Sequence, residues 1–421
     1  MRRTGYNVKG TENGVAKRQT LRVFEAFAGI GAQATALKRL KPFLEELNVD
    51  CEIVGISEWF VNALIAYDKL HCDSGQPEFE IPSKEVMLNE LKDFEFSTDS
   101  VHPIPSLKRL PEKKLRQLYI AHKRTRNFGS ITKLDPNELP PMDLLVYSFP
   151  CQDLSTGGWA RGMSRESGTR SSLIWQIERI LKALATKNSL PKYLVLENVR
   201  AITSPRYQAD FSEWLQFLES LGYHNSKPQI LNALEYGIPQ RRERAFVLSM
   251  LEEIPVDFDE SLRASKTKYP PVRKFLFRDY SNPTYRKEAL DAYIRPTPSR
   301  MIMWDKNGVE EDELLKPDTH AWTITCNFDR TETSLILRLP PDIVDVKEED
   351  RGQPCFRLLT NREAFLLMGF KSEEYDLLKS LGFSYRQENK LIGNSIVVNV
   401  LQAIFREVLR HWSERTRRET E

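Results

Sequence analysis

Apolar residues along this chain fall into short runs of strand length that alternate with stretches of helical period. Leu21–Phe27 predicts a first strand. Phe27-Ala28-Gly29-Ile30-Gly31-Ala32 follows, and then Leu37, Leu40, Phe43, Leu44 and Leu47, whose spacing of three and four is a helical pattern. Further strands are expected at Glu52–Ser57, Asp143–Ser148, Tyr193–Glu197 and Arg244–Met250. Leu173, Ile174, Ile177, Ile180, Leu181 and Leu184 share one helical face, and Phe211–Leu221 predicts another helix. Strands alternating with helices predict a parallel α/β sheet covered on both faces.

The pattern changes near Leu251. Residues 255–355 are rich in proline, charge and short apolar runs, without helix–strand alternation. Helical period returns from Leu391 through Ile396, Val397, Val400, Leu401, Ile404, Phe405 and Leu409. The expected division is therefore a large domain from residues 1–254 and 386–421, interrupted by a smaller, irregular one from 255–385.

Composition adds little at the level of the whole chain. Its 421 residues are 40% hydrophobic and 29% charged, with a net charge of +2, so global charge does not point to nucleic acid. Locally, residues 103–126 carry Lys108, Arg109, Lys113, Lys114, Arg116, Lys123, Arg124 and Arg126 against a single acid, Glu112. Such a run is either a solvated helix face or a phosphate-contacting surface. The five cysteines show no CxxC pair and no zinc spacing, so no metal site is expected and the thiols fit a reducing compartment. The basic, polar start lacks the apolar centre of a signal peptide, and no run approaches the ~20 apolar residues of a membrane span. These features predict a cytoplasmic protein.

Candidate chemistry sits at the predicted strand ends, where ligands bind in this fold class. Glycines 29 and 31 let a ligand approach the backbone. Glu58 and Trp59 end the second strand. A carboxylate there suits the two ribose hydroxyls of an adenosine, and the indole suits its base. NAD and S-adenosylmethionine both carry that group, and a helix cap beside a core tryptophan is the structural alternative. Cys151 follows a buried strand and Pro150, which makes it a rigidly placed thiol in need of activation. Cys51, Cys72, Cys326 and Cys355 read as inert. The Gly- and Arg-rich loop 156–172 suits a basic lid or an ordinary surface loop. Glu197 ends the next strand, and alternation sends Arg242 and Arg244 to one side.

Taken in order, FAGIGA, SEW, SFPCQDLS, LENV, QRRER and IGNSIVVNV resemble the DNA cytosine-5 methyltransferases, in the form found in bacterial restriction–modification systems. The resemblance runs from Val23 to Leu401. It implies a doubly wound, Rossmann-like α/β sheet that binds S-adenosylmethionine, with a smaller target-recognition domain and no metal. Cys151 would be the nucleophile on C6 of a flipped cytosine. Glu197 would hold N3 and the exocyclic amine, and Arg244 would hold O2, supported by Arg242. Phe27, Ala28, Gly29, Ile30, Gly31, Glu58, Trp59, Ser130, Ile131, Pro150, Asn394, Ser395 and Ile396 would form the cofactor site. DNA contacts are expected from Ser155, Arg161, Arg165, Arg170, Thr323, Arg357 and Arg362. The implied partners are double-stranded DNA and a restriction endonuclease cutting the same site, with the enzyme a monomer. Two departures stand out. Ser130 occupies a place where the family often has an acid for the adenine, and the segment between Trp59 and Ser130 is long. A tRNA cytosine methyltransferase is the alternative on the same fold. An NAD-dependent oxidoreductase would explain the glycine turn but none of the later motifs.

Overall fold

A computed structural model describes residues 18–72, 75–154, 161–306, 319–326, 336–345, 348, 351–353 and 355–420. Its centre is a seven-stranded sheet. Strands β1 (Gln19–Ala26), β2 (Val49–Ser57), β3 (Leu144–Tyr147) and β4 (Tyr193–Val199) run parallel in the spatial order β2-β1-β3-β4. The short strands β5 (His224–Asn225) and β6 (Gln229–Asn232) both pair antiparallel with β7 (Glu243–Met250), which lies against β4.

The sheet is therefore mixed, not wholly parallel as the alternation predicts. β7 follows β6 as a hairpin and so enters from the opposite end, antiparallel to β4. This reversal matters for the site. It pairs Arg244, near the start of β7, with Val199 at the end of β4.

Pleating sends alternate residues to opposite faces, and both faces are buried. Leu144, Val146, Tyr193 and Val195 pack with Ala36, Leu64 and Leu401 on one side. Leu145, Tyr147, Leu194 and Leu196 pack with Ile177, Leu181 and Trp214 on the other. The helical pattern after the glycine turn forms two helices, Ala32–Arg39 and Lys41–Leu47, because Leu40 leaves helical geometry and Pro42 starts a new first turn. The C-terminal stretch Tyr385–Glu419 is long and apolar enough to cross a membrane, unlike the reading from sequence. Its apolar residues, among them Leu401, Ile404, Phe405 and Leu409, are instead buried in the protein core.

The basic run forms helix Glu112–Arg124, which buries Leu115, Leu118 and Tyr119. Several of its cations serve the fold: Lys114 donates to Asn62 at 2.6 Å, and Lys123 pairs with Glu90 at 2.6 Å. A three-stranded sheet, β8 (Tyr293–Ile294), β10 (Phe356–Leu358) and β9 (Ile336–Arg338), carries its own small core of Ile294, Trp304, Ile336, Phe356 and Leu358. From Leu359 onward the apolar side chains, including Phe365, Met368, Tyr375 and Leu378, join the larger core.

Candidate active site

The carboxyl ends of β1, β2 and β4, with the loop after β3, open into one cavity of about 420 Å³. At one end Phe27 and Gly29 form a turn in left-handed conformation, with φ of 58° at both. Phe27 pays about 1–3 kcal/mol for that geometry, which the surrounding packing must impose. Gly31, at φ 78°, has no room for a side chain, since a Cβ would lie 2.3 Å from His71 Nε2. That imidazole is bonded to the carbonyl of Ile30 at 3.0 Å and, by burial, is pushed down to about 4, so it stays neutral and donates. Ala28 and Gly31 build the turn without lining the cavity.

Glu58 binds the turn to β2. Its carboxylate accepts from the amides of Gly29 at 2.8 Å and Phe60 at 2.7 Å, while Asn127 grips its backbone. Burial nevertheless pushes the carboxyl up to about 7. Acceptor positions left on its two oxygens suit the hydroxyls of a ribose. Trp59, Ser130, Ile131, Pro150, Asn394, Ser395 and Ile396 complete this end.

At the other end stand Cys151, Glu197 and Arg244. The loop after β3 holds the thiol through three carbonyls. Asn198 donates to the carbonyl of Phe149 at 3.0 Å, Ser171 to that of Pro150 at 2.7 Å, and the Leu154 amide to that of Cys151 at 3.0 Å. Burial pushes the Cys151 thiol above its ordinary value, and Glu197 adds to this, while Arg244 and Arg242 pull it down. Arg244 Nε lies 3.3 Å from Glu197 Oε1. Burial also raises Glu197, against both arginines, so its carboxyl holds a proton more readily than a free glutamate.

Arg242, expected to support Arg244, is tied into the surrounding backbone. It is 4% exposed, and its guanidinium donates to the carbonyls of Ile324 at 2.6 Å, Ser395 at 2.8 Å and Gly393 at 3.1 Å. It braces three segments and also lines the cavity.

A family model for the C-5 cytosine-specific DNA methylases matches residues 107–410. The chain belongs to this family. The type II methyltransferase M2.ScrFI of Lactococcus lactis subsp. cremoris is 33% identical over 93% of this chain and 99% of its own length. The orphan methyltransferase M.SssI of Spiroplasma monobiae is 34% identical over 93% of this chain and 98% of its own. Among solved structures, the Dnmt2 methyltransferase of S. pombe covers 93% of this chain, with 98% of its own length matched, at a TM-score of 0.53 and 20% identity, a likeness of fold. The protein is thus a DNA (cytosine-5-)-methyltransferase related to those of restriction–modification systems, and its family implies use of S-adenosylmethionine.

The methylase's expected DNA contacts are only partly where the sequence suggests. Ser155 lies outside the described residues. Arg161 is exposed, and Arg170 lines the cavity mouth. Arg165 instead fastens its loop to the domain, pairing with Glu178 at 2.5 Å and Glu213 at 2.7 Å over the ring of Trp175. Thr323 is half-buried, its hydroxyl on the carbonyl of Arg241 at 2.7 Å. Arg357 and Arg362 are not available to phosphate. Arg357 is 0% exposed and held by both oxygens of Glu363 at 2.7 and 2.8 Å. Arg362 is 3% exposed between Glu288 at 2.8 Å and Asp376 at 2.7 Å. Both are buried ion pairs that secure the chain where it leaves the small sheet. Among cavity-lining residues the sequence left unmarked are Glu95, Val101, Pro103 and Lys390.

Proposed function

We propose that this enzyme methylates C5 of a cytosine flipped out of duplex DNA, through a transient bond from Cys151 to C6. One observation carries the reading: Cys151, Glu197 and Arg244 meet in the same cavity whose far end is lined by Glu58 and Trp59. The residues present fit S-adenosylmethionine. Glu58 would receive the ribose hydroxyls, Trp59 and Ile131 the base, and the turn at Phe27–Gly29 with Asn394 and Ser395 the amino-acid end. When bound, the cofactor supplies an electrophilic methyl group.

A stacked base hides C6 from any side chain, so the cytosine must leave the helix, at about a few kcal/mol. Cys151 then adds to C6 as a thiolate and raises electron density at C5. Glu197, whose carboxyl burial makes readier to hold a proton, gives a hydrogen bond or proton to N3. That proton also removes the negative charge that opposes thiolate formation. Arg244 stands beside Glu197 and meets charge at O2. Once C5 carries the methyl group, loss of its proton to a base and expulsion of the Cys151 thiolate from C6 complete the cycle. We assign target reading to residues 255–385. Protection of host DNA from a matching endonuclease fits the type II designation of M2.ScrFI, and the enzyme would act as a cytoplasmic monomer.

Duplex DNA with 5-fluorocytosine tests this, because fluorine cannot leave as a proton. A denaturation-resistant complex is expected with the native enzyme, and none with Cys151→Ala, which should still bind DNA and cofactor. Turnover by Cys151→Ala, or preference for tRNA over duplex DNA, would defeat the reading.

A further inference from the structure

The long segment before Ser130 folds back onto the cofactor end of the cavity. Ser97 docks beside β2, its amide donating to the carbonyl of Trp59 at 2.8 Å and its carbonyl accepting from Val61 at 2.9 Å. Asp99 shapes the next turn by accepting from the amides of Val101 at 2.7 Å and His102 at 2.8 Å. Lys390, from helix Tyr385–Gly393, donates to the Asp99 carbonyl and lies over the ring of Phe60, 5.1 Å away. Residues 95–103 therefore form an added wall, and Glu95, Ser100, Val101 and Pro103 face the cavity. Val101 is 44% exposed although its surroundings are ordered by these bonds.

Glu95 is the charged member of that wall. The backbone at 94–95 packs on Gly129, where a Cβ would meet the Glu95 carbonyl at 3.4 Å. The hydroxyls form a chain toward its carboxylate: Ser130 Oγ lies 2.8 Å from Thr132 Oγ1, which donates to Glu95 Oε1 at 3.5 Å. With Thr132 donating to Glu95, Ser130 is the donor to Thr132. The second carboxylate oxygen has no partner among the described residues.

We propose that Glu95 recognises the base of the cofactor by accepting a hydrogen bond from its exocyclic amine. The inference rests on S-adenosylmethionine being the cofactor. A carboxylate only accepts, and beside Trp59, Ser130 and Ile131 it meets the edge of a purine stacked there. Adenine offers an amine at that edge. Hypoxanthine puts a carbonyl in place of that amine, which a carboxylate repels, and its only donor on that edge is the displaced N1–H. The wall thus supplies from 35 residues upstream the acid that the segment 128–131 lacks.

The test is competitive binding of S-adenosylhomocysteine and S-inosylhomocysteine to the full chain. The native enzyme should prefer the adenosyl compound by roughly tenfold or more. Glu95→Ala should bring the ratio toward unity. Glu95→Gln, whose amide can donate to a carbonyl, should favour the inosyl compound further, with unchanged thermal melting in both variants. Ser130→Ala is the counterpart. An unaltered ratio in both Glu95 variants, or a ratio lost only in Ser130→Ala, would overturn the assignment. Failure of the native enzyme to bind either compound would instead remove the cofactor reading on which it rests.

Discussion

Replacing Arg242 by methionine separates a brace from a catalytic group. The side chain is similar in length, but three carbonyls, those of Ile324, Gly393 and Ser395, lose their donor. Each buried carbonyl left alone costs about 1 kcal/mol at the low end. The change also relieves a burial penalty, since burial and the neighbouring Arg244 pull the guanidinium down to about 9. The net expectation is a loss of about 2–4 kcal/mol, the carbonyl penalties outweighing that relief. Denaturant unfolding followed by tryptophan fluorescence measures it, and steady-state kinetics on the same preparations measure the chemistry. Arg244→Met is the contrast, because Arg244 meets Glu197 at 3.3 Å beside the open cavity. It should leave unfolding nearly unchanged and reduce kcat. Arg242→Met should unfold earlier and raise KM for both substrates, as the 393–395 loop and residue 324 come loose. Native stability in Arg242→Met together with a collapsed kcat would refute the brace.

Two pH-dependent outcomes follow from buried carboxyls. Glu58 is held up to about 7 by burial, so its acceptor capacity grows as pH rises through that value. Affinity for S-adenosylhomocysteine, measured by calorimetry, should increase between about pH 6 and 8 and lose that dependence in Glu58→Gln. A flat native profile contradicts the assigned role. Glu25, wholly buried in β1, is raised from 4.5 to about 8, chiefly by burial and despite Tyr67. The native state then holds a proton that the unfolded chain releases, so stability is greatest below the unfolded value and falls as pH climbs to about 8. Glu25→Gln should melt higher than the native enzyme near pH 8 and similarly near pH 5, and equal melting at both would sink this account.

The strand-end chemistry was legible because each short apolar run closes on its own motif. Local pattern alone therefore brings Glu58, Cys151 and Glu197 to one edge of the sheet. Burial of an arginine leaves no such local mark. Arg357 and Arg362 look like phosphate ligands until their acids are found, and Glu288 lies 74 residues from Arg362. Glu95 is hidden for a similar reason. Its link to the Glu58 end of the cavity depends on the pairing of Ser97 with Phe60, across a segment with no regular period. Arg244 shows how a local reading can reach a correct neighbour through an incorrect topology. In a wholly parallel sheet the start of β7 would lie at the amino end of β4, far from Glu197. The hairpin from β6 reverses β7, so that Val199 faces Arg244 and Glu197 faces Phe246. The acid and the arginine are thus close because one strand runs against the others. A methylase site of this kind needs that reversal as much as it needs the residues.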